Sequence, residues 1–150
     1  MDDIDKKILD LLQEDAAQPV ADIARKIGLS VTPCWRRIQK LEEAGIVRKR
    51  VALLDGRKLG LGMCVFVAIK TDQHSADWLA DFAVSISAFD EVVEFYRMSG
   101  EVDYMLRVVV PNMAAYDSFY KRLIGEVALT DVSSSFAMEE IKYTTALPVI

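Results

Sequence analysis

The sequence predicts an α+β protein in two parts, an N-terminal group of three helices and a C-terminal half that alternates strands and helices. Apolar residues recur every three or four positions up to about residue 44, and the later apolar runs are typical of strands. The charge divides as well, since residues 1–60 have a net charge of +2 and residues 61–150 a net charge of −7. We therefore expect one domain over residues 1–60 and a second over residues 61–150.

The composition indicates a globular protein, because 52% of the residues are hydrophobic and 27% are charged. No apolar run reaches the roughly 18 residues that span a bilayer. The N-terminus, MDDIDKK, lacks the basic and apolar segments of a signal peptide. A cytoplasmic protein is expected on these grounds. Cys34 and Cys64 lie on different predicted elements without a pairing spacing, so we expect free thiols.

Three helices are predicted in the first part, over residues 3–14, 20–27 and 30–44. The second ends at Gly28, and only Gly28 and Leu29 separate it from Ser30, whose hydroxyl can cap the third. Two helices joined by a three-residue turn that contains glycine are typical of a helix-turn-helix. The residues expected to face inward are Ile4, Ile8, Leu11 and Leu12, then Val20, Ile23, Ala24 and Ile27, then Val31, Cys34, Ile38 and Leu41.

The outer face of the third helix is suited to a DNA major groove. Residues 25–50 contain eight basic and two acidic residues, a local net charge of +6 that would attract phosphates. Arginine can pair with guanine edges, glutamine with adenine, and hydroxyl groups with phosphate. A solvated basic face is the alternative interpretation. The candidate DNA-binding residues are Ser30, Thr32, Pro33, Trp35, Arg36, Arg37, Gln39 and Lys40.

Two features near this helix have open interpretations. Trp35 is unexpected on an exposed face, where it would contact a sugar or a thymine methyl group, or pack on the first helix. Residues 46–54 are predicted to form a strand that acts as a wing or linker. Arg48, Lys49 and Arg50 in that strand either contact phosphates or protect a solvated strand edge.

The second part has the order βαββαβ, which predicts a ferredoxin-like α/β sandwich. We expect strands over residues 63–71, 92–98, 103–110 and 131–144, and helices over residues 75–89 and 111–124. Two helices cover only one face of such a sheet, yet the first and third strands are almost continuously apolar. Because a strand open to water on one side alternates, we infer a homodimer through the other sheet face.

The remaining polar residues do not suggest catalysis or metal binding. His74 is the only histidine and has no Cys or Asp at a ligand spacing. The serines at positions 133–135 lack the sequence context and base of a nucleophile, and no glycine-rich phosphate loop occurs. We therefore expect neither an enzyme nor a cofactor.

Four stretches, IDKKILDLLQEDA, DIARKIGLSVTPCWRRIQKLEEAGIV, SGEVDY and EEIKYTTALP, resemble the Lrp/AsnC family of leucine-responsive, or feast/famine, transcription regulators. The resemblance extends over essentially the whole chain. It implies a winged-helix-type helix-turn-helix domain, joined by a β linker to a ferredoxin-like (RAM-type) domain that oligomerises and binds small effectors, usually amino acids. It also implies a transcription regulator that binds double-stranded DNA and forms dimers, and commonly higher oligomers such as octamers.

In this family, the turn between the second and third strands of the C-terminal half lines the amino-acid cleft, together with the last strand of a neighbouring copy. The exposed N–H groups of such a turn can bind a carboxylate, and Asp103 can bind an ammonium group. Val132 stands where many relatives have a hydroxyl residue. For the turn, the alternative is a hairpin with a solvated Asp103. For the whole protein, the alternative is an amino-acid-sensing module in which DNA contact is secondary. The candidate effector-binding residues are Met98, Gly100, Asp103, Tyr104 and Ser134.

Overall fold

A computed structural model describes residues 1–73, 75–126 and 129–150, so His74 lies outside the described residues. The chain forms two compact units, Met1–Leu53 together with Ile141–Ile150, and Leu54–Glu140. The last ten residues therefore pack with the N-terminal helices, whereas the sequence predicts a second domain that runs to residue 150. A segment without apolar periodicity gives no sign of the unit against which it packs.

The first unit contains the three predicted helices, α1 (Asp3–Glu14), α2 (Val20–Ile27) and α3 (Val31–Glu43). Gly28 ends α2 with φ of +73°, a left-handed conformation that glycine adopts without steric cost. The turn from Gly28 to Ser30 then leads directly into α3, as the helix-turn-helix pattern predicts. The buried core of this unit comprises Ile8, Leu9, Leu12, Ile23, Ala24, Cys34, Ile38 and Leu41.

The first turn of α3 differs from the sequence prediction in two respects. Ser30 is the N-cap residue, but its hydroxyl makes no capping hydrogen bond. Val31, expected in the buried stripe, is 50% exposed. Thr32 and Pro33 are exposed too, so this turn extends beyond the part of α3 that the other two helices cover.

Residues 46–54 were expected to form a strand, and this prediction is wrong for the single chain. The N–H groups of Ile46 and Val47 donate to the Leu41 carbonyl at 3.0 and 3.1 Å, which completes the end of α3. No residue from 46 to 54, all of which the structure describes, belongs to a strand. A strand exists only with a hydrogen-bonded neighbour, and strand-forming composition alone does not supply one.

The second unit has the order β1 (Met63–Lys70), α4 (Ala76–Ser87), β2 (Val92–Arg97), β3 (Tyr104–Val110), α5 (Met113–Glu126) and β4 (Asp131–Phe136). Its antiparallel sheet has the strand order β2-β3-β1-β4. This confirms the predicted ferredoxin-like arrangement. The last strand ends at Phe136, which pairs with Val65, and not at residue 144. Because β1 begins at Met63, this register leaves no β1 partner for residues beyond 138.

The helices α4 and α5 pack on one face of this sheet. The buried residues there are Val65, Val67, Ile69, Phe82, Ile86, Phe89, Tyr104, Leu106, Val108, Val110, Tyr116, Phe119 and Leu123. The opposite face carries Phe66 and Tyr96, which are 41% and 53% exposed. Arg107 and Glu94 form an ion pair of 2.8 Å on that face. None of the described helices is long and apolar enough to cross a membrane.

Candidate nucleic-acid interface and ligand-binding residues

Helix α3 exposes most of the residues that were expected to contact DNA. Cys34, Ile38 and Leu41 anchor it in the core of the first unit, and they leave the opposite side of the helix in solvent. Burial raises the pKa of the Cys34 thiol, which keeps it protonated and unreactive. The exposed side chains are Thr32, Pro33, Trp35, Arg36 and Lys40, together with Ser30 at the N-cap.

Trp35 projects from this surface and is 50% exposed, equal to Val31 one turn earlier. Residues four apart lie on the same face of a helix, so the two side chains form a small apolar area at the start of α3. Trp35 is thus not part of the buried core of the first unit. An apolar surface beside basic side chains is compatible with thymine methyl groups in a major groove.

Arg37 occupies a different environment from its neighbour Arg36. Its Nη1 donates to Asp2 Oδ2 at 2.8 Å and to Asp5 Oδ1 at 2.7 Å. These hydrogen bonds raise the pKa of the Arg37 guanidinium. The pKa of the Asp2 carboxyl is lowered, chiefly by the hydrogen bond from the Asp5 backbone and then by that from Arg37. Arg37 is therefore held against α1, while Arg36 is exposed.

Gln39 and Arg50, the last of the three basic residues at positions 48–50, have intramolecular contacts as well. The Gln39 amide donates to Glu42 Oε2 at 3.0 Å, and Arg50 pairs with Glu42 Oε1 at 2.9 Å. Arg48 and Lys49 are exposed. Glu42 thus neutralises part of the charge expected at Arg50, and this leaves Arg48 and Lys49 more accessible to phosphates than Arg50.

The turn between β2 and β3 brings together four of the expected effector-binding residues. Gly100 has φ of +118°, which a residue with a side chain rarely adopts. The Asp103 carboxylate accepts a hydrogen bond from the Thr71 N–H at 2.8 Å. Tyr104 is buried in the aromatic core, 4.9 Å from the Phe82 ring, and Met98 is 44% exposed. One Asp103 oxygen thus fixes the turn to the end of β1.

Ser134 lies elsewhere, in a cleft of about 640 Å³ between α5 and β4. Its hydroxyl is hydrogen-bonded to the Tyr116 hydroxyl, and burial raises the pKa of Tyr116. Since β1 separates β4 from β3, one copy of the chain does not bring Ser134 to the Gly100 turn. The side chains that line the cleft include Met113, Tyr116, Tyr120, Val132, Ser134 and Phe136.

The aromatic lining of this cleft was missed in the sequence. The helical spacing of Met113, Tyr116 and Tyr120 in the sequence predicts that all three face inward. Only Tyr116 of these three is buried, and Met113 is 54% exposed. Helical spacing does not distinguish a residue in the core from one at the rim of a cleft. Among the described residues, no group of His, Cys, Asp or Glu is placed to hold a metal ion.

Comparison with known proteins assigns both units to one family. The family model for the Lrp/AsnC ligand binding domain matches residues 64–147, and a winged helix-turn-helix DNA-binding model matches residues 1–48. The chain is 50% identical over 149 residues to the glutamate uptake regulatory protein of Zymomonas mobilis, with coverage of 99% of this chain and 91% of that protein. It is also 50% identical over 150 residues to the DNA-binding transcriptional activator DecR of Escherichia coli, with 99% of each covered.

Solved structures agree with this assignment. An AsnC family transcriptional regulator from Agrobacterium tumefaciens shares 63% identity at a TM-score of 0.96, covering 99% of this chain and 97% of that one. A transcriptional regulator from Neisseria meningitidis, solved as a complex with L-Met, shares 36% identity at a TM-score of 0.94, covering 99% and 96%. The chain therefore belongs to the Lrp/AsnC family of transcriptional regulators.

Proposed function

We propose that this regulator binds the DNA major groove with the exposed face of α3. The observation that supports the proposal is the exposure of Thr32, Trp35, Arg36 and Lys40 on a helix whose other side is buried. Ser30, Pro33 and Gln39 lie on or beside the same surface and complete it. Regulators of this family bind DNA and are not enzymes. The exposed face of α3 is therefore proposed to bind DNA without catalysing a reaction. Because it acts on DNA, we also propose a cytoplasmic location.

The experiment is a binding titration against a duplex from the promoter region of the gene itself, at several salt concentrations. Affinity should fall steeply with salt, since each phosphate contact contributes about 0.9 to the slope of log K against log salt. Arg36→Ala should weaken binding about tenfold or more. Lys121→Ala, on α5 of the second unit, also removes one positive charge, but from an element that the proposal does not assign to DNA, and should change little. Equal effects of the two variants would contradict this placement of the interface.

Trp35 is proposed to contact thymine methyl groups, together with Val31. Replacing thymine by uracil in the bound duplex removes only the methyl groups, so wild-type affinity should fall on the uracil duplex. The Trp35→Ala variant, which retains Val31, should distinguish the thymine and uracil duplexes less strongly than the wild type. A variant that distinguishes the two duplexes as strongly as the wild type would assign methyl recognition to residues other than Trp35.

The second unit is proposed to bind an amino-acid effector. The turn of one copy, with Gly100 and Asp103, would bind the amino and carboxylate groups, and the cleft with Ser134 in a neighbouring copy would bind the side chain. The aromatic lining of the cleft favours an apolar side chain. The relative from Neisseria meningitidis, solved in a complex with L-Met, supports an effector of that class.

Calorimetry against the twenty amino acids tests this proposal. Asp103→Asn keeps an oxygen that can accept the Thr71 N–H but removes the charge that would bind an ammonium group, so it should abolish effector binding without disturbing the turn. Asp90→Asn, at an exposed acid of the same unit, is the matched control. Effector binding unaffected by Asp103→Asn would exclude this role. Effector binding that leaves DNA affinity unchanged would favour the sensing module.

We propose further that a second copy covers the open sheet face, as the apolar strands predicted. Phe66 and Tyr96 are 41% and 53% exposed on this face. Val93, at the irregularity in the edge strand β2, is 48% exposed. Sedimentation of the wild type should give a dimer or a higher oligomer such as an octamer. Phe66→Lys should dissociate the face-to-face contact, while Val84→Lys on α4, at a residue 73% exposed, should not. A Phe66→Lys protein with unchanged sedimentation would contradict this interface.

A further inference from the structure

Two carboxylates at the start of α1 have a double role. Asp2 Oδ1 accepts the N–H groups of Ile4 and Asp5 at 3.0 and 2.9 Å, and Asp5 Oδ2 accepts the Asp2 N–H at 3.1 Å. This reciprocal capping box uses one oxygen of each side chain. The other oxygen of each, Asp2 Oδ2 and Asp5 Oδ1, accepts from Nη1 of Arg37.

Arg37 therefore links the beginning of α1 to the middle of α3, across 32 residues of sequence. The contact is partly sheltered, since the Asp5 side chain is 17% exposed and the Arg37 side chain 32%. Two carboxylates more than offset the charge of one guanidinium, so the cluster presents no excess positive charge to a phosphate. Arg36 is exposed and has no ion pair with any residue that the structure describes.

We propose that Arg37 is a positioning residue, which fixes the orientation of the recognition helix on α1 through Asp2 and Asp5, and that it makes no contact with DNA. This inference rests on the proposed function of α3 as the DNA-binding helix. It assigns different roles to two adjacent arginines that the sequence presents as equivalent. Asp2 and Asp5 thereby become determinants of DNA affinity, although they are acidic.

The Asp5→Asn variant should change DNA affinity in opposite directions, depending on whether Arg37 positions α3 or contacts a phosphate. Asparagine is isosteric and keeps an oxygen for the capping box, but it weakens the contact with Arg37. Removal of a negative charge near DNA ordinarily raises affinity. If Arg37 positions α3, Asp5→Asn should instead lower affinity about three- to tenfold, the scale expected from losing a partly sheltered ion pair. The salt slope should remain that of the wild type.

Arg37→Ala should likewise weaken binding without changing the salt slope, and the Asp5→Asn, Arg37→Ala double variant should bind no more weakly than Arg37→Ala alone. Such non-additivity shows that the two residues act through one contact. All titrations are made with the full chain, at temperatures where circular dichroism shows that each variant is fully folded. The fall in affinity then reports orientation and not unfolding.

Two outcomes would overturn the proposal. If Asp5→Asn raises affinity and Arg37→Ala lowers the salt slope by about 0.9, Arg37 contacts a phosphate. If neither variant changes affinity, the ion pair has no part in positioning α3. Failure of the proposed function itself is recognised separately, because wild-type binding would then be insensitive to salt and to Arg36→Ala.

Discussion

Ile38→Ala and Val31→Ala test whether α3 packs as the structure describes. Both residues belong to the apolar stripe that the sequence predicts, but Ile38 is 1% exposed and Val31 is 50% exposed. Truncation of a fully buried isoleucine to alanine costs about 2–5 kcal/mol, because a cavity remains where the side chain was. A cost of about 3 kcal/mol raises the unfolded population of the first unit roughly 150-fold. Val31→Ala should cost less than about 0.5 kcal/mol.

Hydrogen exchange measured by mass spectrometry on the full chain without DNA is the suitable assay, since it reports opening of each unit separately. In the Ile38→Ala variant, peptides from α1, α2 and α3 should lose about two orders of magnitude of protection. Peptides from β1 and β3 provide the internal reference and should be unchanged. Equal losses in the two variants, or wild-type protection of α3 in Ile38→Ala, would refute the assignment of the buried face.

Three further predictions concern the same unit. Deletion of residues 147–150 removes two hydrogen bonds between Gln13 and Leu147, of 3.1 and 2.6 Å, and the packing of Val149. The deletion should cost about 1–2 kcal/mol of stability. Hydrogen exchange that is faster than in the wild type in α1 but not in β3 would confirm this. The lowered pKa of Asp2 implies a stabilisation that is complete above its ordinary value of 3.8 and is lost as pH falls through the lowered one. The difference in melting temperature between wild type and Asp2→Asn should therefore shrink in acid, and a constant difference would contradict it. Burial and the raised pKa of Cys34 predict slow alkylation by iodoacetamide at about pH 8 in the native protein and fast alkylation in denaturant. Rapid labelling of native Cys34, detected by mass spectrometry, would contradict this prediction.

The helices of the first unit were predictable because each one is specified locally. Apolar periodicity, the glycine at position 28 and the short turn after it fix three helices without reference to distant residues. The contact of Arg37 with Asp2 and Asp5 was not predictable in the same way. Its partners Asp2 and Asp5 lie on another helix, and periodicity places Arg37 on the polar side of α3 without showing what faces it there.

The failed strand predictions have a related cause. Residues 46–54 and 137–144 have strand-forming composition, but no strand among the described residues of the chain pairs with them. The segment 46–54 leaves Leu53 and Leu54 exposed at 63% and 74%. Composition reports how well a residue suits a strand, whereas pairing depends on a neighbour that only the tertiary or quaternary structure supplies.

Only part of the candidate ligand site was predictable from the sequence, for a similar reason. The turn with Gly100 was predictable because a glycine in a short connection between strands is a local feature, but only the resemblance to the family implied that this turn binds a ligand. The cleft beside Ser134 was not predictable, because it arises where α5 crosses β4 and exposes one side of Tyr120 and Met113. The sheet order then explains why the two halves of the predicted site are separate in one copy, since β1 lies between β3 and β4.

Few residues of chain separate the cleft beside Ser134 from the unit that contains α3, the helix proposed to bind DNA. Strand β4, which contains Ser134, ends at Phe136, and the chain soon reaches the C-terminal segment that packs with the helices of the first unit. There Leu147 is hydrogen-bonded to Gln13 at the end of α1, and Asp2 and Asp5 at its beginning hold Arg37 of α3. An effector that changes DNA affinity tenfold must itself bind the DNA-bound form with tenfold different affinity, because coupling is reciprocal. If that coupling persists after deletion of residues 147–150, it acts through the linker or through neighbouring copies, and not through this C-terminal contact.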